Sequence, residues 1–451
     1  MGDRALVHAV DRSLAEHVAA GARIAVALSG GRDSVALAAA VIECGRVSPA
    51  DLVAIHVHHG LSSQADAWSA FCERFAAERG VELVVQRIAI DARDSDGVEA
   101  AARSRRYEAL RSAALRAGAS AVLLAHHQDD QAETLLLQLL RGAGVHGLAA
   151  MPAVRTGGGL CWLRPLLDVP RRDIDTFVRK RKLAYVEDDS NASDRHRRNA
   201  LRQRIVPALQ SVAGGYPATI ARVAAHQADA ARLIDELAAL DAEPLLDGDT
   251  LDRAGLIALA PHRARNVLRH FLHCQGLRPP STARLHAMLT QLRTARPDAR
   301  VRFEHEGLQF GVFRGRVVAR GAVPPPYERR WQGESFIDLP HGRLAFFATS
   351  GTGLSAACVD DATLVVRPRA GGERLQPFAS RPRRALKAWL QEAGMPSWQR
   401  EALPLLFRGD ALAAVPGLGV DVTFQARAGE PGFSLDWQPA ANGSPSETER
   451  S

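Results

Sequence analysis

The chain has 451 residues, a length that exceeds one hydrophobic core of ordinary size, so we expect two or three domains. It is 46% apolar and 24% charged, with neither a signal-peptide pattern nor an apolar run near the roughly 20 residues that span a bilayer, so we expect a cytoplasmic protein that binds no membrane. The formal net charge of +7 favours a polyanionic partner.

Up to about residue 145, short apolar runs alternate with helical patterns, as in parallel α/β proteins. We predict four strands, at residues 23–28, 52–58, 82–90 and 121–125. Between the second and third, Trp68, Phe71 and Phe75 recur on one face of an amphipathic helix. The carboxyl ends of such parallel strands are where a ligand is expected.

A glycine-rich loop follows the first predicted strand. It consists of Ser29, Gly30, Gly31, Arg32, Asp33 and Ser34. A glycine pair lets backbone N–H groups surround an anion, and the following helix adds its positive end. We expect Ser29 and Ser34 to donate to phosphate oxygens, Asp33 to help hold Mg²⁺, and Arg32 either to add a phosphate contact or to face solvent.

Gly-Gly alone also fits an ordinary capped turn, but the complete string favours a phosphate site. The loop lacks the lysine of a Walker motif. It resembles the signature of N-type ATP pyrophosphatases, which cleave ATP between the α and β phosphates.

The remaining chain falls into further parts. Helical patterns cover residues 218–240 and 251–292, strand-like alternation covers 301–320, and a smaller α/β unit covers 360–430, with a strand at 364–367 and a helix at 383–393. We therefore predict an α/β fold in which a parallel-sheet nucleotide-binding N-terminal domain precedes a mainly helical middle domain and a small α/β C-terminal domain. The predicted bounds are 1–212, 213–325, 326–436 and, for a disordered tail, 437–451.

The basic residues are concentrated in two segments, and the cysteines are scattered. Residues 171–204 hold eleven Lys/Arg against six Asp/Glu, and residues 367–400 hold eight against two. The five cysteines form no C-x-x-C pair, which argues against disulfides and against zinc or iron–sulfur sites, so we expect most of them in the core. Two basic patches suit a long polyanionic ligand.

Several further segments occur in the order typical of one family. They are His56-Val-His-His-Gly-Leu-Ser62, Ala102-Arg-Ser-Arg-Arg-Tyr107, His126-His-Gln-Asp-Asp-Gln-Ala-Glu-Thr134, Arg164-Pro-Leu-Leu167 with Arg171, Glu187-Asp-Asp-Ser-Asn191, Arg198-Asn-Ala-Leu-Arg202, Val366-Arg-Pro-Arg369 and Lys387-Ala-Trp-Leu390. In these motifs, which extend over most of its length, the chain resembles the tRNA(Ile)-lysidine synthetases.

The resemblance implies a two-step modification of the wobble cytidine in an isoleucine tRNA with a CAU anticodon. ATP adenylates O2 of the base and pyrophosphate leaves; the amine of free L-lysine then attacks C2 and expels AMP. The implied cofactors are ATP and Mg²⁺, and no obligate protein partner is evident.

A lysine amine is protonated at neutral pH, so the reaction needs carboxylates for the cation and a base. Asp129, Asp130 and Glu133 share one face at the start of a predicted helix and are the expected lysine-binding residues. The same spacing also suits a helix cap, and the residues alone leave the two interpretations equal. His126 and His127, at the end of a strand, favour function, although a packing role is commoner for any single histidine.

The predicted catalytic residues are Asp33, Arg103 and Asp129. Arg103 and Arg106 lie one turn apart on a predicted helix, and we favour Arg103 for the charge that develops on the α-phosphate. Phosphate contacts to tRNA are expected from the basic residues Arg195, Arg197, Arg198, Arg202, Arg381, Arg383, Arg384 and Lys387. A solvated basic face is the alternative for each of them.

Three other functions fit parts of the pattern. A tRNA thiolase of the same fold needs cysteines for sulfur handling, which the scattered cysteines do not favour. An amidating synthetase needs a source of ammonia and leaves the basic segments unexplained. A non-catalytic RNA-binding protein does not need the intact loop at residues 29–34.

Overall fold

The structure, a computed structural model, describes residues 2–58, 60, 64–88, 98–187, 197–294, 302–320, 326–360, 364–395 and 397–439. The chain divides into two compact units, Met1–Leu233 and Ile234–Ser451. Within the described residues, no helix is both long and apolar enough to cross a bilayer.

The first unit is built on a six-stranded sheet in the order β3-β2-β1-β4-β6-β5. Its strands are β1 (Ile24–Ala27), β2 (Leu52–His58), β3 (Glu82–Arg87), β4 (Ala121–Leu123), β5 (Val154–Gly157) and β6 (Leu160–Leu163). All neighbours pair in parallel except the β5–β6 hairpin. The predicted strands are confirmed, the second with its predicted bounds; residues 89–90 of the third lie outside the described residues.

The first unit also contains helices, of which the last continues into the second unit. They are α1 (Gly2–His17), α2 (Arg32–Cys44), α3 (Ala65–Ala77), α4 (Val98–Arg116), α5 (Gln128–Leu140), α6 (Val145–Leu148), α7 (Arg171–Lys180), α8 (Arg197–Ala200), α9 (Val206–Val212) and α10 (Tyr216–Ala242), with a 3-10 turn at Pro49–Asp51 and a π turn at Leu201–Ile205. Alternate strand residues feed two cores: Ile24 and Val26 pack with α1, α2, α3 and α7, whereas Ala25 packs with α4. Both faces of the sheet are therefore covered at its centre, which is why the central strands β1 and β4 are apolar throughout.

The second unit begins with three helices against an antiparallel sheet. Its elements are β7 (Leu246–Asp247), β8 (Thr250–Asp252), α11 (Arg253–Ala258), α12 (Pro261–Cys274), α13 (Thr282–Thr294), β9 (Arg302–His305), β10 (Leu308–Phe313) and β11 (Arg316–Arg320). The rings of Phe303 and Phe310 stack at 5.1 Å in its core. The predicted helical block at 251–292 holds α11, α12 and most of α13, but its first two residues belong to β8. The alternation predicted at 301–320 corresponds to β9, β10 and β11, with residue 301 outside the described residues.

The remainder of the second unit is rich in strands. Its elements are β12 (Arg329–Trp331), β13 (Phe336–Leu339), β14 (Gly342–Ser350), β15 (Leu354–Ser355), α14 (Ala357–Asp360), β16 (Leu364–Arg367), β17 (Arg374–Leu375), β18 (Arg384–Ala385), α15 (Leu386–Glu392), α16 (Ser397–Ala402), β19 (Leu405–Arg408), β20 (Ala411–Val415), β21 (Gly419–Val420) and β22 (Pro431–Pro439). The strand predicted at 364–367 is confirmed. The helix predicted from residue 383 begins at Leu386, because Arg384 and Ala385 pair with β17 instead.

Candidate active site

A cavity of about 690 Å³ opens at the carboxyl ends of β1, β2 and β4. The loop after β1, the end of β2, the start of α2, one face of α4 and the residues after β4 line it. Among the lining residues are Ser29, Gly31, Arg32, Asp33, Ser34, His56, His58, Arg106, Tyr107, His126, His127, Arg171, Glu187 and Arg202. The sheet therefore brings segments far apart in sequence to one ligand-sized site, as parallel sheets do.

The loop after β1 leaves the N-terminus of α2 open. Gly31 is the N-cap residue, and no side chain caps the helix. The Ser34 hydroxyl instead donates to the Gly31 carbonyl at 2.8 Å and lies 3.0 Å from the Ser29 hydroxyl oxygen. Uncapped N–H groups at the positive end of a helix favour an anion, so the alternative of an ordinary Ser- or Asp-capped turn does not describe this loop.

Gly30 is placed where a side chain does not fit. Its φ is +86°, and an added Cβ meets a side-chain carbon of Val186 at 3.0 Å and Cys72 Sγ at 3.3 Å. We expect Gly30→Ala to destabilise the protein by about 1–3 kcal/mol and to weaken ATP binding, because the loop must shift. Thermal unfolding and ATP titration measure both effects.

The matched control is Gly31→Ala. Gly31 has φ −71°, and its added Cβ has only Ser29 Oγ near it, at 3.5 Å. This variant should unfold at nearly the wild-type temperature. Equal destabilisation by the two substitutions contradicts the assignment of strain to Gly30.

Asp33 lies in the cavity wall as the second residue of α2. Its carboxylate accepts from Arg32 Nε at 2.9 Å and lies 3.7 Å from His127 Nε2. Burial raises the pKa of Asp33, but the hydrogen bond and charge of His127 and the charge of Arg32 outweigh burial and hold the pKa at about 2. Asp33 is therefore ionised at neutral pH. Arg32 lies between Asp33 and Asp175, whose carboxylate is 2.7 Å from its Nη1.

The pKa values of His126 and His127 are shifted in opposite directions. Burial lowers the pKa of His127, but the hydrogen bond to Asp33 and the charges of Asp130 and Asp129 outweigh it, so the pKa is raised. For His126, burial, only partly opposed by Asp130, lowers the pKa to about 3. His127 therefore holds a proton more readily than a free imidazole because carboxylates lie beside it, whereas His126 is neutral at pH 7.

This difference predicts a pH dependence of stability. A raised pKa means that the His127 imidazolium stabilises the fold below about pH 6.5 and that this contribution is lost as the pH rises through the folded-state pKa. The thermal midpoint of His127→Asn should therefore approach that of the wild type as the pH increases above 6.5. For His126→Asn the difference from wild type should be constant above pH 7. A constant difference for His127→Asn contradicts the prediction.

The acidic face of α5 is paired with arginines. Arg202 Nε donates to Glu133 at 2.6 Å and its Nη2 to Asp130 at 3.1 Å, and Arg198 Nε lies 3.2 Å from Glu133. Asp129 accepts from the backbone N–H of Arg171 at 3.0 Å. Asp130 also accepts from the N–H of His127, the N-cap residue of α5, so the cap pairs His127 with Asp130 instead of Asp130 with Glu133. None of the three carboxylates is among the described cavity-lining residues, whereas Arg202 is.

The two arginines of α4 differ in position. Both are exposed, but Arg106 is among the described residues that line the cavity and Arg103 is not; the Arg103 guanidinium lies 5.6 Å from the centre of the Tyr107 ring. The sequence preference for Arg103 thus falls on the arginine that is not among the described cavity-lining residues. Helical spacing alone does not say which of two residues one turn apart faces inward, and the role itself stays a prediction.

The predicted tRNA-binding residues occur in both units. Arg195 lies outside the described residues, Arg197 is exposed, and Arg198 and Arg202 pair with the acidic face of α5. Arg381 and Arg384 both pair with Glu392, Arg383 pairs with the buried Asp421, and Lys387 is exposed. The structure therefore brings these residues into separate groups with different surroundings.

Some cavity residues were not assigned a role from the sequence. Tyr107, Arg171 and Glu187 line the site. Each occurs in a segment used for the family resemblance, which is the signal that points to them. Chemistry alone does not single them out, because a tyrosine, an arginine and a glutamate are common on any surface.

Fold and site together define a nucleotide-binding domain of the PP-loop, or ATP pyrophosphatase, class, and residues 6–209 match the family model of the PP-loop domain. Residues 251–318 match a TilS substrate binding domain, and residues 364–437 match a TilS substrate C-terminal domain.

The chain is 40% identical to tRNA(Ile)-lysidine synthase of Nitrosomonas europaea, over 95% of this chain and 94% of that protein. It is 42% identical to tRNA(Ile)-lysidine synthase of Ralstonia nicotianae, over 92% of this chain and 93% of that protein. The protein belongs to the tRNA(Ile)-lysidine synthase family. A solved structure of the U34-tRNA thiolase NcsA from Methanococcus maripaludis is similar to this chain with a TM-score of 0.41 and 16% sequence identity. The similarity covers 49% of this chain and 76% of the thiolase chain.

Proposed function

We propose that the protein ligates free L-lysine to C2 of the wobble cytidine of a CAU-anticodon isoleucine tRNA, in the cytoplasm and without an obligate protein partner. ATP is converted to AMP and pyrophosphate through an O2-adenylated cytidine. The observation that carries the proposal is the uncapped α2 N-terminus, with ionised Asp33 beside it, in the cavity of a chain that belongs to this family.

In the adenylation step, the N–H groups after Gly30 and the hydroxyls of Ser29 and Ser34 bind the leaving phosphates of ATP. Asp33 would hold Mg²⁺, which neutralises phosphate charge when bound. Asp33 fits this role because it is ionised and faces the cavity, and Mg²⁺ in ATP sites commonly takes only one or two protein carboxylates. Arg106, in the same wall, is the better-placed donor to the α-phosphate than Arg103.

In the second step, the carboxylates of α5 bind the lysine ammonium and accept its proton. Asp129 is the proposed proton acceptor because its side chain is 24% exposed, against 12% for Asp130 and 6% for Glu133. Arg202 already pairs with Asp130 and Glu133. The lysine cation therefore competes with a guanidinium for the same carboxylates, and its binding requires Arg202 to move or to share them.

The basic residues of both units, including Arg195, Arg197 and Lys387, are proposed to contact tRNA phosphates. Such contacts set position and carry no sequence information by themselves. A tRNA thiolase is the less supported alternative, since the relatives are lysidine synthases over most of their length. None of the five cysteines forms a disulfide, and burial raises the pKa of Cys72 to about 12, which makes its thiol unreactive.

The decisive experiment measures incorporation of labelled lysine into an isoleucine tRNA transcript with a CAU anticodon, in the presence of ATP and Mg²⁺. We expect incorporation that requires ATP and is lost in Asp33→Ala. Pyrophosphate release without incorporation keeps the ATP chemistry and overturns the substrate. Neither reaction from folded protein overturns the proposal altogether.

A further inference from the structure

A second cavity, of about 530 Å³, lies in the second unit and carries an exposed aromatic ring at its wall. Pro377 and Phe378 form one side, and the turn between β20 and β21 forms another. The Phe378 side chain is 53% exposed, which is unusual for a ring beside a cavity of ligand size. We call this space the C-terminal cavity.

Basic and aromatic groups adjoin Phe378. Its ring centre is 6.1 Å from that of Trp389, and the guanidinium groups of Arg381 and Arg384 lie 5.4 Å and 5.0 Å from the centre of the Trp389 ring. Both arginines pair with the one carboxylate of Glu392, so the group keeps a net positive charge. Lys387 is exposed and lies on α15, the helix that also carries Trp389 and Glu392. Aromatic rings interleaved with cations are typical of sites for single-stranded nucleic acid.

Two glycines form part of the wall of the C-terminal cavity, and a glutamine side chain joins its two sides. Gly417 and Gly419 have φ +69° and +130°, and an added Cβ at Gly417 has no atom within 4 Å, so the backbone there is accessible. Gln425 Nε2 donates to the carbonyls of Pro377 at 2.9 Å and Val420 at 2.7 Å, which ties the two sides together. A flat ligand can therefore stack on Phe378 while its polar edge reaches backbone groups.

We propose that an unpaired base at the 3′ end of the tRNA stacks on Phe378 and enters the C-terminal cavity, with its phosphates beside Arg381, Arg384 and Lys387. This inference rests on the proposed function, which makes tRNA the partner. Unpaired bases are available in tRNA mainly in the anticodon loop and at the 3′ end. The proposed function places the anticodon in the cavity of the first unit, so the 3′ end is the remaining source of an unpaired base for the C-terminal cavity. A base, unlike a phosphate, supplies the flat apolar face that matches an exposed ring.

The test compares dissociation constants of the full-length protein for tRNA(Ile) transcripts with and without the unpaired 3′ end. We expect Phe378→Ala to weaken binding of intact tRNA roughly 5- to 100-fold, since stacking is worth this much per base. Phe378→Trp should bind as the wild type does, and removal of the 3′ end should weaken wild-type binding and abolish the effect of Phe378→Ala. The matched control is Phe336→Ala: Phe336 is 44% exposed and has Arg343 at 4.1 Å from its ring, yet it does not line the cavity.

The salt dependence separates stacking from charge. Phe378→Ala should leave the slope of log Kd against log salt concentration unchanged, whereas Lys387→Ala should reduce it by about one. Wild-type affinity in Phe378→Ala, or equal losses for intact and 3′-truncated tRNA, overturns the inference while lysine incorporation still stands. Failure of the wild type to incorporate lysine into tRNA is the separate failure of the proposed function.

Discussion

Pyrophosphate release by an Asp33→Asn variant is expected to fall roughly 10²- to 10³-fold below that of the wild type. Asp33 is the acidic residue of the phosphate loop, and its pKa of about 2 makes it an anion throughout the physiological range. Asparagine keeps the shape and removes the charge, so a magnesium–ATP complex loses a ligand and His127 loses a partner. The measurement is the initial rate of pyrophosphate release with tRNA and ATP in the absence of lysine.

Asp175→Asn is the matched control for this variant. Asp175, on α7, pairs with the same Arg32 but is not among the described residues that line the cavity. Its substitution should lower the rate less than about threefold, the scale of an exposed ion pair. Similar large losses in both variants indicate that Arg32, and not the charge of Asp33, carries the effect.

The fold of the first unit was predictable because its signals are local. Each of the four predicted strands contains an apolar run, and the strand at Leu52–His58 has its predicted bounds. The β5–β6 hairpin was not predicted, because Val154–Gly157 is short and mostly exposed. The helix α1 was not predicted either. The strands predicted at 23–28 and 121–125 extend one or two residues beyond β1 and β4.

The site was less predictable, because its chemistry depends on pairs that are distant in sequence. The helix spacing placed Asp130 and Glu133 together, as the structure has them. Their pairing with Arg202 joins residues about seventy positions apart, and no periodicity indicates it. The same holds for Arg383, whose partner Asp421 is buried on another part of the C-terminal unit. A basic run in the sequence therefore overstates the number of cations that are available to RNA.

Glu133→Gln is expected to separate the two half-reactions. Glu133 is buried and is the carboxylate that Arg198 and Arg202 share. If it also binds the lysine ammonium, its neutralisation should raise the KM for lysine roughly 100-fold, in line with the loss of a charged hydrogen bond in a buried site. Pyrophosphate release without lysine should stay within a few-fold of wild type, because Asp33 and the phosphate loop are untouched.

A structural role for Glu133 makes a different prediction, because the arginines of α8 and the π turn lose their anchor. Both pyrophosphate release and the thermal midpoint then fall together, with no selective change in the KM for lysine. Thr134→Val tests this directly: the Thr134 hydroxyl accepts from Arg198 Nη2 at 3.0 Å, so the variant removes one anchor and no charge. If Thr134→Val reproduces the defect of Glu133→Gln, the acidic face of α5 only positions arginines. If it does not, the negative charge of Glu133 is what the second half-reaction requires.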